Sequence, residues 1–201
     1  TYNIPIYASE TGDDVKFNLW MFDSGTYATA GVGLIFPLMS ILQAFGFFFG
    51  HGSGNYVSRS LGAGKTEDSE KMAATGFFCS LFMGILILTL GQIFSTSILT
   101  ALGADTARVA ADTVKHARAY YTTLLFGAPF VSASCVLNNQ MRFQGNALFA
   151  MIGLVSGAVL NIGLDPLFIF VFHLGVMGAA LATVISQIFS FFVLYVGMLR
   201  S

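Results

Sequence analysis

Residues 145–171 read GNALFAMIGLVSGAVLNIGLDPLFIFV, a run with a single charged residue, Asp165. A helix needs about 20 mainly apolar residues to cross the hydrocarbon core of a bilayer, so this stretch reads as a membrane span. Outward from it, charge-free tracts lie between Asp23 and Arg59, Lys71 and Asp105, Arg118 and Arg142, and Asp165 and Arg200. The spans expected are 30–57, 72–98, 119–141, 145–171 and 177–199. Composition agrees: charged residues are 9% of the chain and mean hydropathy is +0.75, against roughly 25% charged in an ordinary soluble protein. The fold class expected is all-α, a polytopic transmembrane bundle over residues 25–201 preceded by an unassigned polar segment, 1–24.

Net charge is −1, so no basic excess points to nucleic acid. Residues 1–15 carry no basic region ahead of an apolar one, so no signal peptide is expected. Cys79 and Cys135 fall in apolar stretches and are expected to be buried thiols, not a disulfide. Alternating the spans puts Arg59, Lys65, Lys71, Arg142 and Arg200 on one side and Arg108, Lys115 and Arg118 on the other. The richer side is then cytoplasmic, which places the loop 59–71 there. Asp105 to Arg118 has acid at its start and Lys115, His116 and Arg118 at its end, an order that suits a short outer-surface helix.

Small residues recur at four-residue spacing: Gly46, Gly50 and Gly54; Gly153 and Gly157; Gly175, Ala179 and Thr183. Such faces let helix backbones approach closely in lipid, where no hydrophobic force pulls helices together. Pro37 and Pro129 each fall mid-span and are expected to kink their helices.

Asp165 is the one carboxylate inside an expected span. A charge at membrane depth costs about 3 kcal/mol or more, so it normally faces a bundle interior or a wet cavity. The other reading, a hydrated carboxylate at a helix end, sits poorly with the apolar 167–172 that follow. Asn161, four residues earlier, shares its helical face. Pro166 cannot donate to the carbonyl of Ile162 on that same face. Carboxylate, amide oxygen and free carbonyl together suit a hard cation such as Na⁺, and the carboxylate alone suits a proton.

In the last span Thr183, Ser186, Gln187 and Ser190 form a polar stripe, which serves either helix packing or a cavity wall. Asn138, Asn139 and Gln140 are expected to be hydrated at the cytoplasmic end of the third span, and Gln43 reads as a lone packing amide. Gly62-Ala63-Gly64-Lys65-Thr66 ends like a phosphate-binding loop, but the position that should hold its first glycine is Arg59. An intramembrane aspartyl protease would need a second carboxylate in a span, and none is present. His51, His116 and His173 stand singly, without metal-ligand spacing. No enzyme activity and no cofactor are expected.

Ser58-Arg59-Ser60-Leu61-Gly62-Ala63-Gly64 after a glycine-rich span resembles the loop after the second helix of MATE (multidrug and toxic compound extrusion) transporters. Leu137-Asn138-Asn139-Gln140 with Arg142-Phe143-Gln144-Gly145-Asn146 is similar to the family's fourth-to-fifth helix connection. Asn161 through Pro166, then Gly175 to Thr183, resemble its fifth and sixth helices. The resemblance covers about Gly25 to the C-terminus and implies helices two to six of the N-terminal lobe of a two-lobe antiporter. It implies export of small organic cations in exchange for Na⁺ or H⁺ across a cell inner membrane. It further implies a cation site at Asn161, Asp165 and Thr183. Gln43, Ser186 and Gln187 are assigned to a substrate cavity as polar side chains within the spans. The family site also draws an Asp from its first helix, and Asp13, Asp14 and Asp23 do not align with it. The implied partners are the lipid bilayer, small-molecule organic cations and either a missing C-terminal lobe or a second copy. A lipid-linked saccharide flippase of the same superfamily and a non-transporting scaffold are the alternatives. The flippase should line its cavity with Lys or Arg, and these spans hold none.

Overall fold

The computed structural model describes residues 12–105 and 109–200, with side chains described from residue 26. Residues 1–11, Arg108 and the side chains of Asp13, Asp14 and Asp23 lie outside that description. The described chain is helical throughout: α1 (Gly12–Gly62), α2 (Thr66–Ile93), α3 (Ser95–Ala101), α4 (Ala111–Leu125), α5 (Ala128–Phe143), α6 (Ala147–Pro166) and α7 (Gly175–Arg200). A single π turn, Leu167–Val171, extends α6.

Four stretches are each long and apolar enough to cross a membrane: Thr26–Gly62, Thr66–Ile93, Ala147–Val171 and Gly175–Arg200. A fifth forms from α4 and α5 together, bent by 53° where they join. These match the five expected spans. Among the described residues, no separate helix stands within the 105–118 expected to form one on the outer surface. Ala111 to Arg118 are instead the opening turns of α4, since Thr113, Ala117 and Tyr121 recur at four-residue spacing and are all buried. Phenylalanines such as Phe36, Phe48, Phe78 and Phe82 point outward, as a lipid-facing surface requires.

Glycine spacing sets the packing. A Cβ on Gly46 would lie 2.6 Å from Cys135 Cβ, and one on Gly50 would lie 2.7 Å from Asn139 Nδ2. One on Gly54 would overlap the Phe143 ring. The paired numbers rise together in steps of four, so α1 and α5 run parallel with their backbones in close approach. On α2, Gly84 and Gly91 do the same against Pro129 of α5 and Leu125 of α4, while Gly76 meets Ser53 of α1 first (2.5 Å) and Gln140 of α5 beyond it (3.1 Å). Gly153 and Gly157 of α6 meet Leu194 and Ser190 of α7. The third expected stripe fails at one end. Gly175 has open space around it and φ of 55°, a turn conformation, and Gly178 makes the close approach, to the Phe168 carbonyl.

Polar groups staple the same contacts. Asn138, Asn139 and Gln140 are not hydrated but buried, with Gln140 only 1% exposed. Asn138 Nδ2 donates to the Ala150 carbonyl of α6 (2.7 Å). Gln140 Nε2 donates to Ser53 Oγ of α1 and the Ala73 carbonyl of α2, each at 3.0 Å. Tyr121 donates to the Gly91 carbonyl at 2.9 Å. Cys135 is half-buried against Gly46, whereas Cys79 is exposed; both are free thiols, so the expected burial fails for Cys79. Pro37 leaves α1 continuous, while Pro129 stands in the first turn of α5, just past the bend.

Gly84 tests this packing. Its Cβ would lie 2.5 Å from the Pro129 Cα, which is backbone and cannot swing away, whereas Gly163 has open space. Gly84→Ala should cost about 1–3 kcal/mol and Gly163→Ala should leave stability unchanged, read from unfolding of the purified chain in detergent.

Candidate functional site

The site lies where α6 loses its regular ladder. Pro166 has no N–H to continue α6, and the helix passes into the π turn Leu167–Val171, closed by the Phe172 N–H on the Leu167 carbonyl at 3.0 Å. His173 then takes φ of 54°, reversing the chain into α7. Irregular backbone at membrane depth is tolerated where protein or a wet cavity covers it. At 1.5 Å per residue Asp165 stands about 27 Å along α6 from Ala147, toward the far end of the Ala147–Val171 span.

Asn161 and Asp165 project from one face of α6, and Asn161 Nδ2 donates to Asp165 Oδ1 at 3.4 Å. Thr183 faces them from α7, its hydroxyl donating to the Ala179 carbonyl of its own helix at 2.9 Å. From α4, Tyr120 stands beside Thr183 and Asp165. Three helices thus converge on one group of oxygen atoms. All three residues of α6 and α7 are half-buried.

Beside this group a cavity of about 220 Å³ opens between α6 and α7. Gly157 and Asn161 form one wall; Thr183, Ser186, Gln187 and Ser190 form the other. Gly157 makes the room, since a Cβ there would lie 2.8 Å from Ser190 Cβ and 3.0 Å from the Ser186 carbonyl. Ser190 Oγ donates to the Gly153 carbonyl at 2.7 Å, clamping the two helices below the cavity. Ser186 Oγ and Gln187 Oε1 are buried with no partner among the described residues. Unpaired buried acceptors are costly, and these two point to water or a polar ligand in the cavity.

The structure therefore brings Asn161, Thr183, Ser186 and Gln187 to one cavity, with Asp165 on the next turn of α6. It leaves Gln43 exposed on α1, apart from that cavity. Tyr120 carried no sequence signal, because an aromatic in an apolar tract reads as ordinary span. Gly62 to Thr66 is a short helix-to-helix turn with Gly64 at φ of 72°, with no strand before it. No cluster of three His, Cys, Asp or Glu suited to a metal exists among the described residues.

A bundle of helices long and apolar enough to cross a membrane, with a polar cavity between two of them, defines a multi-pass membrane protein. The chain belongs to the MATE family: the MatE family model matches residues 14–167. It is 34% identical over 176 residues to the multidrug export protein MepA of Staphylococcus haemolyticus (strain JCSC1435), covering 87% of this chain and 38% of that protein. MepA of Staphylococcus aureus (strain MRSA252) is 32% identical over the same shares. Among solved structures, MATE in the bent conformation matches with a TM-score of 0.80 and 31% identity, over 88% of this chain and 38% of that one. The inward-facing form of a multidrug resistance MATE family transporter of the MOP superfamily matches at 0.78 and 31%, over 84% and 37%. The chain thus spans well under half the length of the relatives it matches.

Tyr120→Phe keeps the ring and removes the hydroxyl beside Thr183. If the two hydroxyls interact, the loss should lower stability by about 1 kcal/mol, and Thr183→Val should add little on top of it. A double-mutant cycle of unfolding free energies checks this; fully additive losses would show that the two side chains do not interact.

Proposed function

We propose that this chain is part of a secondary antiporter that exports small organic cations in exchange for Na⁺ or H⁺. The observation that carries the reading is the convergence of Asn161, Asp165 and Thr183 beside the α6–α7 cavity in a chain of the MATE family. The Asp165 carboxylate, the Asn161 amide oxygen and the Thr183 hydroxyl are hard oxygen donors suited to Na⁺. The carboxylate can equally take a proton. Tyr120 of α4 stands beside Thr183 and brings a further hydroxyl to the site.

In this reading a cation at Asp165 shifts the balance between two arrangements of the lobe by its unequal affinity for them. The site lies between α6 and α7, and α6 ends its regular ladder one residue later, at Pro166. A rearrangement of the π turn therefore changes the spacing of Asp165 and Thr183 without unfolding either helix. Alternating access also needs a second lobe to rock against. The chain spans 38% of its relatives' length, so that lobe would come from a longer protein or from a second copy. The staphylococcal relatives are multidrug export proteins by name, which supports small molecules as the exported substrates. Nothing in this chemistry calls for an enzyme or a bound cofactor.

Ethidium efflux from cells expressing the full-length parent tests the reading. Asp165→Asn should abolish energised efflux at equal membrane abundance, because an amide neither takes up a proton nor balances Na⁺. Unchanged efflux in the variant would remove Asp165 from the coupling role. No efflux from either protein would favour a flippase of lipid-linked saccharides.

A further inference from the structure

Leu154, Ala158, Asn161 and Asp165 follow one another on α6 at spacings of four, three and four, so they share one face. The first three line the cavity of about 220 Å³ between α6 and α7, and the fourth is the carboxylate beside it. The cavity is therefore a groove that runs along α6 toward Asp165. At 1.5 Å per residue Leu154 stands about 17 Å from Asp165, well inside the Ala147–Val171 span. The groove lies on the side of Asp165 that leads back toward Arg142 and Arg200, the end expected to be cytoplasmic.

Its lining says what fills it. Leu154 and Ala158 are exposed and form the mouth, whereas Ser186 on the floor is 3% exposed. Neither Ser186 Oγ nor Gln187 Oε1 has a hydrogen-bond partner among the described residues. Leaving such groups dry costs about 1–3 kcal/mol each, so both call for a polar occupant. The volume falls below the roughly 300–1,000 Å³ of small-molecule sites. It is ample for several waters, each of which takes roughly 30 Å³ of liquid. Ser190 does not compete for them, because its Oγ is already bound to the Gly153 carbonyl at 2.7 Å. Asn161 joins the groove to the carboxylate: it lines the wall, and its Nδ2 donates to Asp165 Oδ1 at 3.4 Å.

We propose that this groove is a water-filled passage through which the cation at Asp165 exchanges with the middle of the bundle. Ser186 and Gln187 are then positioning residues that hold its waters, rather than contacts for an exported molecule. The passage rests on the antiport reading for what it carries, but not for the water it holds. Removing its polar lining should slow exchange of the cation without changing how much is bound.

Thiol labelling of the full chain in lipid nanodiscs tests for the water. Gln187→Cys should react with a water-soluble methanethiosulfonate at least tenfold faster than the parent chain. The parent's own Cys79 is exposed on α2 between the outward-facing Phe78 and Phe82, and serves as the lipid-facing reference. Adding Ala158→Phe, which plugs the mouth, should return the rate to that of the parent. A rate no faster than the parent, or one that Ala158→Phe leaves unchanged, would overturn the passage. Its role is read from the exchange rate of bound cation, followed with isotopic Na⁺ and a proton indicator dye. Ser186→Ala combined with Gln187→Leu should slow exchange tenfold or more at an unchanged number of bound cations. Unslowed exchange, or a lost cation, would overturn the role. A cation still bound by Asp165→Asn would overturn the coupling reading instead, and the labelling rates, which do not depend on Asp165, would still decide whether the groove holds water.

Discussion

Everything in this bundle rests on how closely α5 can approach α1 and α2. In lipid, apolar side chains gain little by touching one another, so association depends on van der Waals fit and on interhelical hydrogen bonds. Gly46, Gly50 and Gly54 remove the side chains that would hold α5 away from α1; on α2, Gly84 does so toward α5 and Gly76 toward Ser53 of α1. Backbones drawn this near bring Gln140 within reach of both Ser53 and the Ala73 carbonyl. The polar staple and the glycine face are therefore one device, since neither closes without the other.

That rigid part leaves the other helices to carry the breaks. α4 and α5 part at Phe126 and Gly127, and the bend of 53° is fixed by Pro129 and by the Gly127 N–H on the Leu124 carbonyl (2.9 Å). Gly127 also admits the Gln187 side chain, whose Oε1 would stand 3.2 Å from a Cβ there. The bend thus aims α4 so that Tyr120 reaches Thr183, while Pro166 ends α6 just after Asp165. Two interruptions of helical backbone, on different spans, enclose one group of oxygen atoms. A regular five-helix bundle would supply the same residues without gathering them.

Much of this was legible in the sequence. The five charge-free tracts mark the five spans because hydrocarbon excludes charge, and the spacing of Gly46, Gly50 and Gly54 gives the contact face. Asp165 stands out for the same reason: one carboxylate in an otherwise charge-free span has to be accommodated. What the sequence hides is pairing across helices. Asn138 to Gln140 read as hydrated because three amides at a span end look interfacial; Asn138 and Gln140 instead find backbone carbonyls 12 and 67 residues away, and Asn139 bonds the Cys135 carbonyl of its own helix. Asp105 to Arg118 reads as a surface helix because its charges follow the dipole rule. The burial of Thr113, Ala117 and Tyr121 against neighbouring helices decides otherwise. Tyr120 is invisible without the fold, since nothing about a tyrosine in an apolar tract says which threonine it will meet.

The central claim is that Asp165, with Asn161 and Thr183, holds the coupling cation. Counting cations bound by the purified full-length protein tests it most directly, using isotopic Na⁺ at fixed pH and proton uptake with an indicator dye. The account predicts that Asp165→Asn removes one bound cation, Na⁺ or H⁺, and that Asn161→Ala weakens the same one. An unchanged count in Asp165→Asn would contradict it and return the carboxylate to a structural role at the end of α6.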